Sequence, residues 1–113
     1  MHELSICGAI AEIATRRAGE RRVATVYVRI GQLRQVVPDT LVFCWTLVVE
    51  GTELDGAALE VDRVAALLRC QSCAAEFGLV PPTSLACAAC GHLGTDVLTG
   101  EELDVTALDL VDA

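Results

Sequence analysis

The chain has 113 residues, 53% hydrophobic and 21% charged, with a formal net charge of −8. That composition fits one folded domain, or a small domain plus a metal-held module, and excludes a disordered chain. Sixteen acidic residues stand against eight arginines and no lysine, which argues against a nucleic-acid backbone as partner.

No stretch reaches the roughly 18 apolar residues that span a bilayer. Nor does the start show a basic region, an apolar run and a small-residue cleavage site, so secretion is not expected. The expectation is a cytoplasmic protein with no membrane partner. Residues 3–19 place Leu4, Cys7, Ile10, Ala11, Ile13, Ala14 and Ala18 three and four apart, which predicts an amphipathic helix stopped at Gly19.

Residues 23–30 (VATVYVRI) alternate: Val26, Val28 and Ile30 share one face of a strand, Tyr27 and Arg29 the other, and Gly31 ends it. Residues 39–50 (DTLVFCWTLVVE) have enough β-branched and aromatic side chains for a strand. Pro38 and Asp39 at the start and Gly51 beyond the end favour a helix, with Leu41, Cys44, Trp45 and Val48 buried. Residues 58–67 read as a second strand, with Leu59 and Val61 on one face.

Residues 68–94 change character, holding two CxxC pairs, two prolines and a strand-like patch at Glu76–Val80. Residues 95–99 read as the returning strand of that module. Residues 102–111 alternate through Leu103, Val105 and Ala107 and then shift phase to Leu108 and Leu110, which reads as a bulge. This last strand rejoins the first sheet, because an isolated two-stranded ribbon is marginal. The fold class expected is α+β: two helices on a three-stranded mixed sheet, with an inserted zinc-ribbon-like module. Residues 1–67 plus 100–113 form one domain in this reading, and 68–99 the other.

Six cysteines in a chain without a secretion signal point to metal and core rather than disulfides. Cys7 and Cys44 have apolar helical neighbours and read as core residues. Cys70, Cys73, Cys87 and Cys90 form CQSC and CAAC, 13 residues apart. Each pair lets two sulfurs curl onto one ion, and two pairs complete the closed tetrahedral shell typical of structural zinc. Iron in the same shell and two redox disulfides are the alternatives. His92, just after Cys90, is either a donor behind the ligands or a solvated turn residue.

The chain opens Met1-His2-Glu3. A histidine at position two brings the α-amine of Met1, the His2 amide nitrogen and the His2 imidazole into chelating reach, with Glu3 as a fourth group. Such a planar set suits Ni(II) or Cu(II), the alternative being an ordinary solvated histidine. The chain contains no HExxH, no phosphate-cradling glycine loop and no placeable Ser/His/Asp set, so no enzyme is expected.

The opening MHELSIC, the helix after it, the V-x-V-x-I-G-x-L run at 26–33, the EG at 50–51 and both cysteine pairs resemble the HypA/HybF family of hydrogenase nickel-incorporation proteins over nearly the whole chain. The resemblance implies transferable Ni(II) bound at Met1, His2 and Glu3, and structural Zn(II) held by Cys70, Cys73, Cys87 and Cys90. It implies a metallochaperone that works with a nickel-handling GTPase and delivers nickel to the large subunit of nickel–iron hydrogenase, with urease maturation factors as further partners in some organisms. A zinc-ribbon interaction module without nickel is the alternative. The segment between the cysteine pairs (AAEFGLVPPTSLA) departs from the family in being short and apolar.

Overall fold

The computed structural model describes residues 2–79 and 86–111. The first helix, α1, spans His2–Ala18 and buries Glu3, Cys7, Ile10, Ala14 and Ala18. Cys7, Ile10, Ala14 and Ala18 are packed as expected, but the start of the stripe turns from Leu4, 49% exposed, to Glu3, 8% exposed. The Cys7 thiol donates to the carbonyl of Leu41 at 3.4 Å, which fixes the line of α1 that is buried. Four residues back along that line stands Glu3, not Leu4.

Strand β1 follows at Val23–Gly31, with Val26, Val28 and Ile30 buried as the alternation predicts. A 3-10 turn at Gln32–Arg34 leads to helix α2, Pro38–Val49, with proline in its first turn. The helical reading of this ambiguous segment holds, because proline costs nothing where the first N–H groups lack partners anyway. Helix α2 buries Leu41, Trp45 and Val49, while Cys44 and Val48 are half-buried. The Trp45 indole N–H donates to Ala57 O at 2.8 Å. Ile10, Leu41, Trp45, Val26 and Val28 are fully buried. Each such side chain stabilises the fold by roughly 1.5–3 kcal/mol.

Strands β2 (Ala58–Val64) and β6 (Leu103–Leu110) flank β1 in the order β2-β1-β6. Arg29 meets Asp62, and Gln32 reaches Ala66, so β2 advances alongside β1 in parallel. A parallel neighbour needs a crossover, and α2 supplies it. Strand β6 runs the other way: Val111 N–H donates to Arg22 O, while Thr106 bonds the carbonyl of Tyr27. The sheet is therefore mixed, and the last strand rejoins it as expected. Thr106 and Ala107 are both exposed, which marks the break of phase in β6.

The expected strand 58–67 is in fact cut. Strand β2 stops at Val64, and β3 (Leu67–Cys70) begins a second sheet of order β4-β3-β5. Its outer strands are β4, Glu76–Gly78, and β5, Thr95–Thr99, both antiparallel to β3. Leu68, fully buried, faces Phe77 on one side and Val97 on the other. By contacts the chain divides into two units. One holds Met1–Arg29, Val36–Asp62 and Leu103–Ala113; the other holds Ile30–Gln35 and Arg63–Glu102. No described helix is long and apolar enough to cross a membrane.

Candidate metal centres

Cys70 ends β3, and Cys73 lies in the turn that follows. Cys70 N–H donates to Ala75 O at 2.9 Å, and Ala74 N–H donates to Cys70 O at 3.0 Å. The second pair repeats this wiring: Cys87 N–H to His92 O at 2.8 Å, and Gly91 N–H to Cys87 O at 2.9 Å. Both turns close through a left-handed residue, Ala74 at φ 63° and Gly91 at φ 77°. Glycine takes that conformation freely and alanine does not, so the first knuckle carries strain the second lacks.

The turns also aim backbone donors at sulfur. Cys70 Sγ accepts from Ser72 N–H at 3.3 Å and Cys73 N–H at 3.4 Å, and Cys87 Sγ accepts from Ala89 at 3.3 Å and Cys90 at 3.4 Å. All four sulfurs lie within 4.8 Å of one another. Cys70 and Cys90 stand 3.6 Å apart, as do Cys73 and Cys87. Those gaps are far beyond an S–S bond of about 2.05 Å. They match the roughly 3.8 Å edge of a tetrahedron with about 2.3 Å metal–sulfur bonds.

Electrostatics in the cluster conflict without a cation. The Cys90 N–H, joined by that of Ala89, pulls the Cys87 thiol down to about 6 against the opposing effect of burial. Cys70 is lowered in the same way, first by the Cys73 N–H and, against burial, by that of Ser72. At Cys90 the His92 N–H favours the thiolate, but Cys70 and the other sulfurs, with burial, push it up to about 12. Four adjacent thiolates repel, and a divalent ion removes the conflict. His92 thus contributes to the site through its backbone N–H, and its imidazole is not among the grouped ligand atoms.

The N-terminal candidates are arranged differently. Met1 lies outside the described residues. The His2 side chain is 54% exposed at the head of α1, and its Nε2 is 3.7 Å from Glu3 Oε2. The two side chains named from the sequence are therefore neighbours. Cys7, one turn further on, is fully buried, and burial, with smaller effects from Cys44 and Glu3, pushes its thiol up to about 11. Such a thiol is inert, in keeping with its reading as a core residue. Sequence reasoning missed the burial of Glu3 and the N–H donors at the sulfurs. The repeated CxxC spacing was the available signal for the donors, since they come with the turn and not with a side chain.

The family model described as HypA, hydrogenase/urease nickel incorporation, metallochaperone, matches residues 1–110. The hydrogenase maturation factor HypA of Geotalea uraniireducens (strain Rf4) is 49% identical over 110 residues, covering 97% of this chain and 99% of its own. The factor of the same name from Geotalea daltonii is 42% identical over 111 residues, covering 98% and 100%. The solution structure of the Ni metallochaperone HypA from Helicobacter pylori has a TM-score of 0.68 to this chain at 19% identity, covering 100% of both. That last likeness is one of fold.

Proposed function

This chain belongs to the HypA family, and from that premise we propose that it is a nickel carrier in the maturation of nickel–iron hydrogenase, holding Ni(II) at its N-terminus and structural zinc in its cysteine cluster. It is a maturation factor and not an enzyme. One observation carries the reading: a four-sulfur cluster within 4.8 Å and an exposed histidine at position two occur in one chain. The first suits an ion that stays, the second an ion that leaves.

The sulfur spacing fits zinc, held by Cys70, Cys73, Cys87 and Cys90. Bound there, zinc supplies a cross-link and no reactive position, because the shell is closed. Residues 68–99 then form the zinc module, and residues 1–67 with 100–113 the nickel-binding domain.

Nickel takes the Met1 amine, the His2 amide nitrogen and the His2 imidazole, with Glu3 as helper. The His2 amide is among the first N–H groups of α1, which have no partner within the helix. Its deprotonation therefore breaks no helical hydrogen bond. The positive helix end opposes a cation, and the Glu3 carboxylate close to His2 offsets that. An open chelate lets an acceptor displace the ligands one at a time. The partners in this reading are a nickel-handling GTPase and the hydrogenase large subunit, with urease maturation factors in some organisms, all in the cytoplasm.

The test is calorimetric titration of nickel into the zinc-loaded protein. Three samples are compared: the native terminus, a chain extended by one glycine before Met1, and His2→Ala. One equivalent bound only by the native terminus supports the reading. Equal uptake by all three moves nickel elsewhere, and no uptake by any leaves a zinc-held interaction module.

A further inference from the structure

Three passes of the chain cross where the cysteine-bearing segment begins and ends. Residues 31–34 run on from the last residue of β1, residues 65–66 precede β3, and residues 99–102 run on from the last residue of β5. A Cβ on Gly31 would lie 2.0 Å from the Gly100 carbonyl carbon, and one on Gly100 would lie 2.8 Å from Ala66 Cα. Gly100 also sits at φ 118°, so these backbones meet at a distance that tolerates no side chain. Gly31 N–H donates to Glu102 O and Leu33 N–H to Gly100 O, both at 2.8 Å.

The middle pass has no ladder partner at Ala66, which lies between the end of β2 and the start of β3. Ala66 is 3% exposed, so an unbonded N–H there is costly. The Gln32 side chain supplies the acceptor, with Oε1 at 2.8 Å across 34 residues of sequence. Thr99 Oγ1 donates to Ala65 O at 2.8 Å and closes the crossing from the other side. None of these bonds involves a cysteine. They pin both ends of the segment that carries all four cysteines, and they account for Ile30–Gln35 clustering with that segment instead of with the rest of β1.

We propose that this crossing is a metal-independent clasp, with Gln32 as its pin, that confines the opening of the cysteine cluster to the chain between Leu67 and Thr99. The inference rests on the cluster holding zinc. Metal loss then frees the chain between Leu67 and Thr99 while the crossing at residues 31–34, 65–66 and 100–102 stays fixed, so the site can empty and refill without unravelling the fold. Gln32 is a positioning residue and touches no metal.

Amide hydrogen exchange on the full chain, zinc-loaded and chelator-stripped, tests this. On stripping, the amides of Cys70, Ala74, Cys87 and Gly91 are expected to lose protection, while Gly31, Leu33 and Ala66 keep it. In Gln32→Leu, which keeps bulk but removes the acceptor, Ala66 exchanges about tenfold faster or more, and stripping then exposes Leu33 as well. Gln32→Glu retains the acceptor and restores protection. Simultaneous loss at knuckles and crossing in the unaltered chain overturns the proposal, as does unchanged Ala66 exchange in Gln32→Leu. Knuckle amides indifferent to stripping count against zinc instead, and the clasp is then judged by Ala66 in Gln32→Leu alone.

Discussion

The cysteine cluster and the N-terminus are built differently: in the first, two turns of identical wiring hold four sulfurs within 4.8 Å and aim peptide N–H groups at Cys70 and Cys87. At the N-terminus the candidate ligands lie at the exposed start of α1. The His2 side chain is 54% exposed, and Glu3 beside it is packed down. The cluster offers four sulfurs in a closed shell, which favours retention. In the proposed reading the terminus sheds protons from an amine and an amide to bind nickel, and an exposed chelate favours release. The proposed carrier combines one site of each kind.

The largest way to disturb one region without the other is through the helical core. Trp45→Ala is expected to cost about 3–5 kcal/mol in urea denaturation, while the variant still binds one zinc. Loss of zinc would mean the cluster depends on that core. Cys73→Ala acts from the opposite side. If four ligands share roughly 10–16 kcal/mol, removing one costs about 3 kcal/mol, or a hundredfold or more in zinc affinity. Hydrogen exchange should rise in β3 to β5 more than in β1. An equal rise in both would contradict the separation.

Acid should separate the two metals by order of release. A thiol lowered to about 6, as Cys87 is, adds stability in full only above its unfolded value near 8.5, and that stability is lost as pH falls through about 6. The α-amine ordinarily titrates near 8, so proton competition for nickel starts earlier. On a downward titration nickel should leave before zinc, and the reverse order by metal analysis would break the comparison. Within the cluster, Gly91→Ala should destabilise the loaded protein by about 1 kcal/mol, while Ala74→Gly should be neutral or stabilising by thermal melting. The smallest effect on stability belongs to His2→Ala. It should abolish nickel uptake and shift unfolding by less than about 0.5 kcal/mol, as an exposed substitution does.

Much of this was legible in the residues. A period-3.6 pattern located α1, Pro38, Asp39 and Gly51 marked α2, period-two alternation located the strands of the first sheet, and the CxxC spacing located the cluster. What remained hidden was set by partners distant in sequence. Glu3 replaces Leu4 in the packed stripe because Cys7 docks on Leu41, and nothing within α1 announces that rotation. The break after Val64 was invisible because Ala65 and Ala66, where it falls, are not turn residues. The acceptor at Ala66 comes from Gln32, and the tight approach comes from Gly100. Gly91 advertises a left-handed turn, whereas Ala74 adopts one with no glycine to signal it.

X-ray absorption at both metal edges, on protein with a native terminus carrying one zinc and one nickel, tests the division of labour most directly. The account predicts four sulfurs at about 2.3 Å around zinc and only nitrogen and oxygen neighbours around nickel. Sulfur in the nickel shell, or fewer than four sulfurs at zinc once nickel is added, would contradict it.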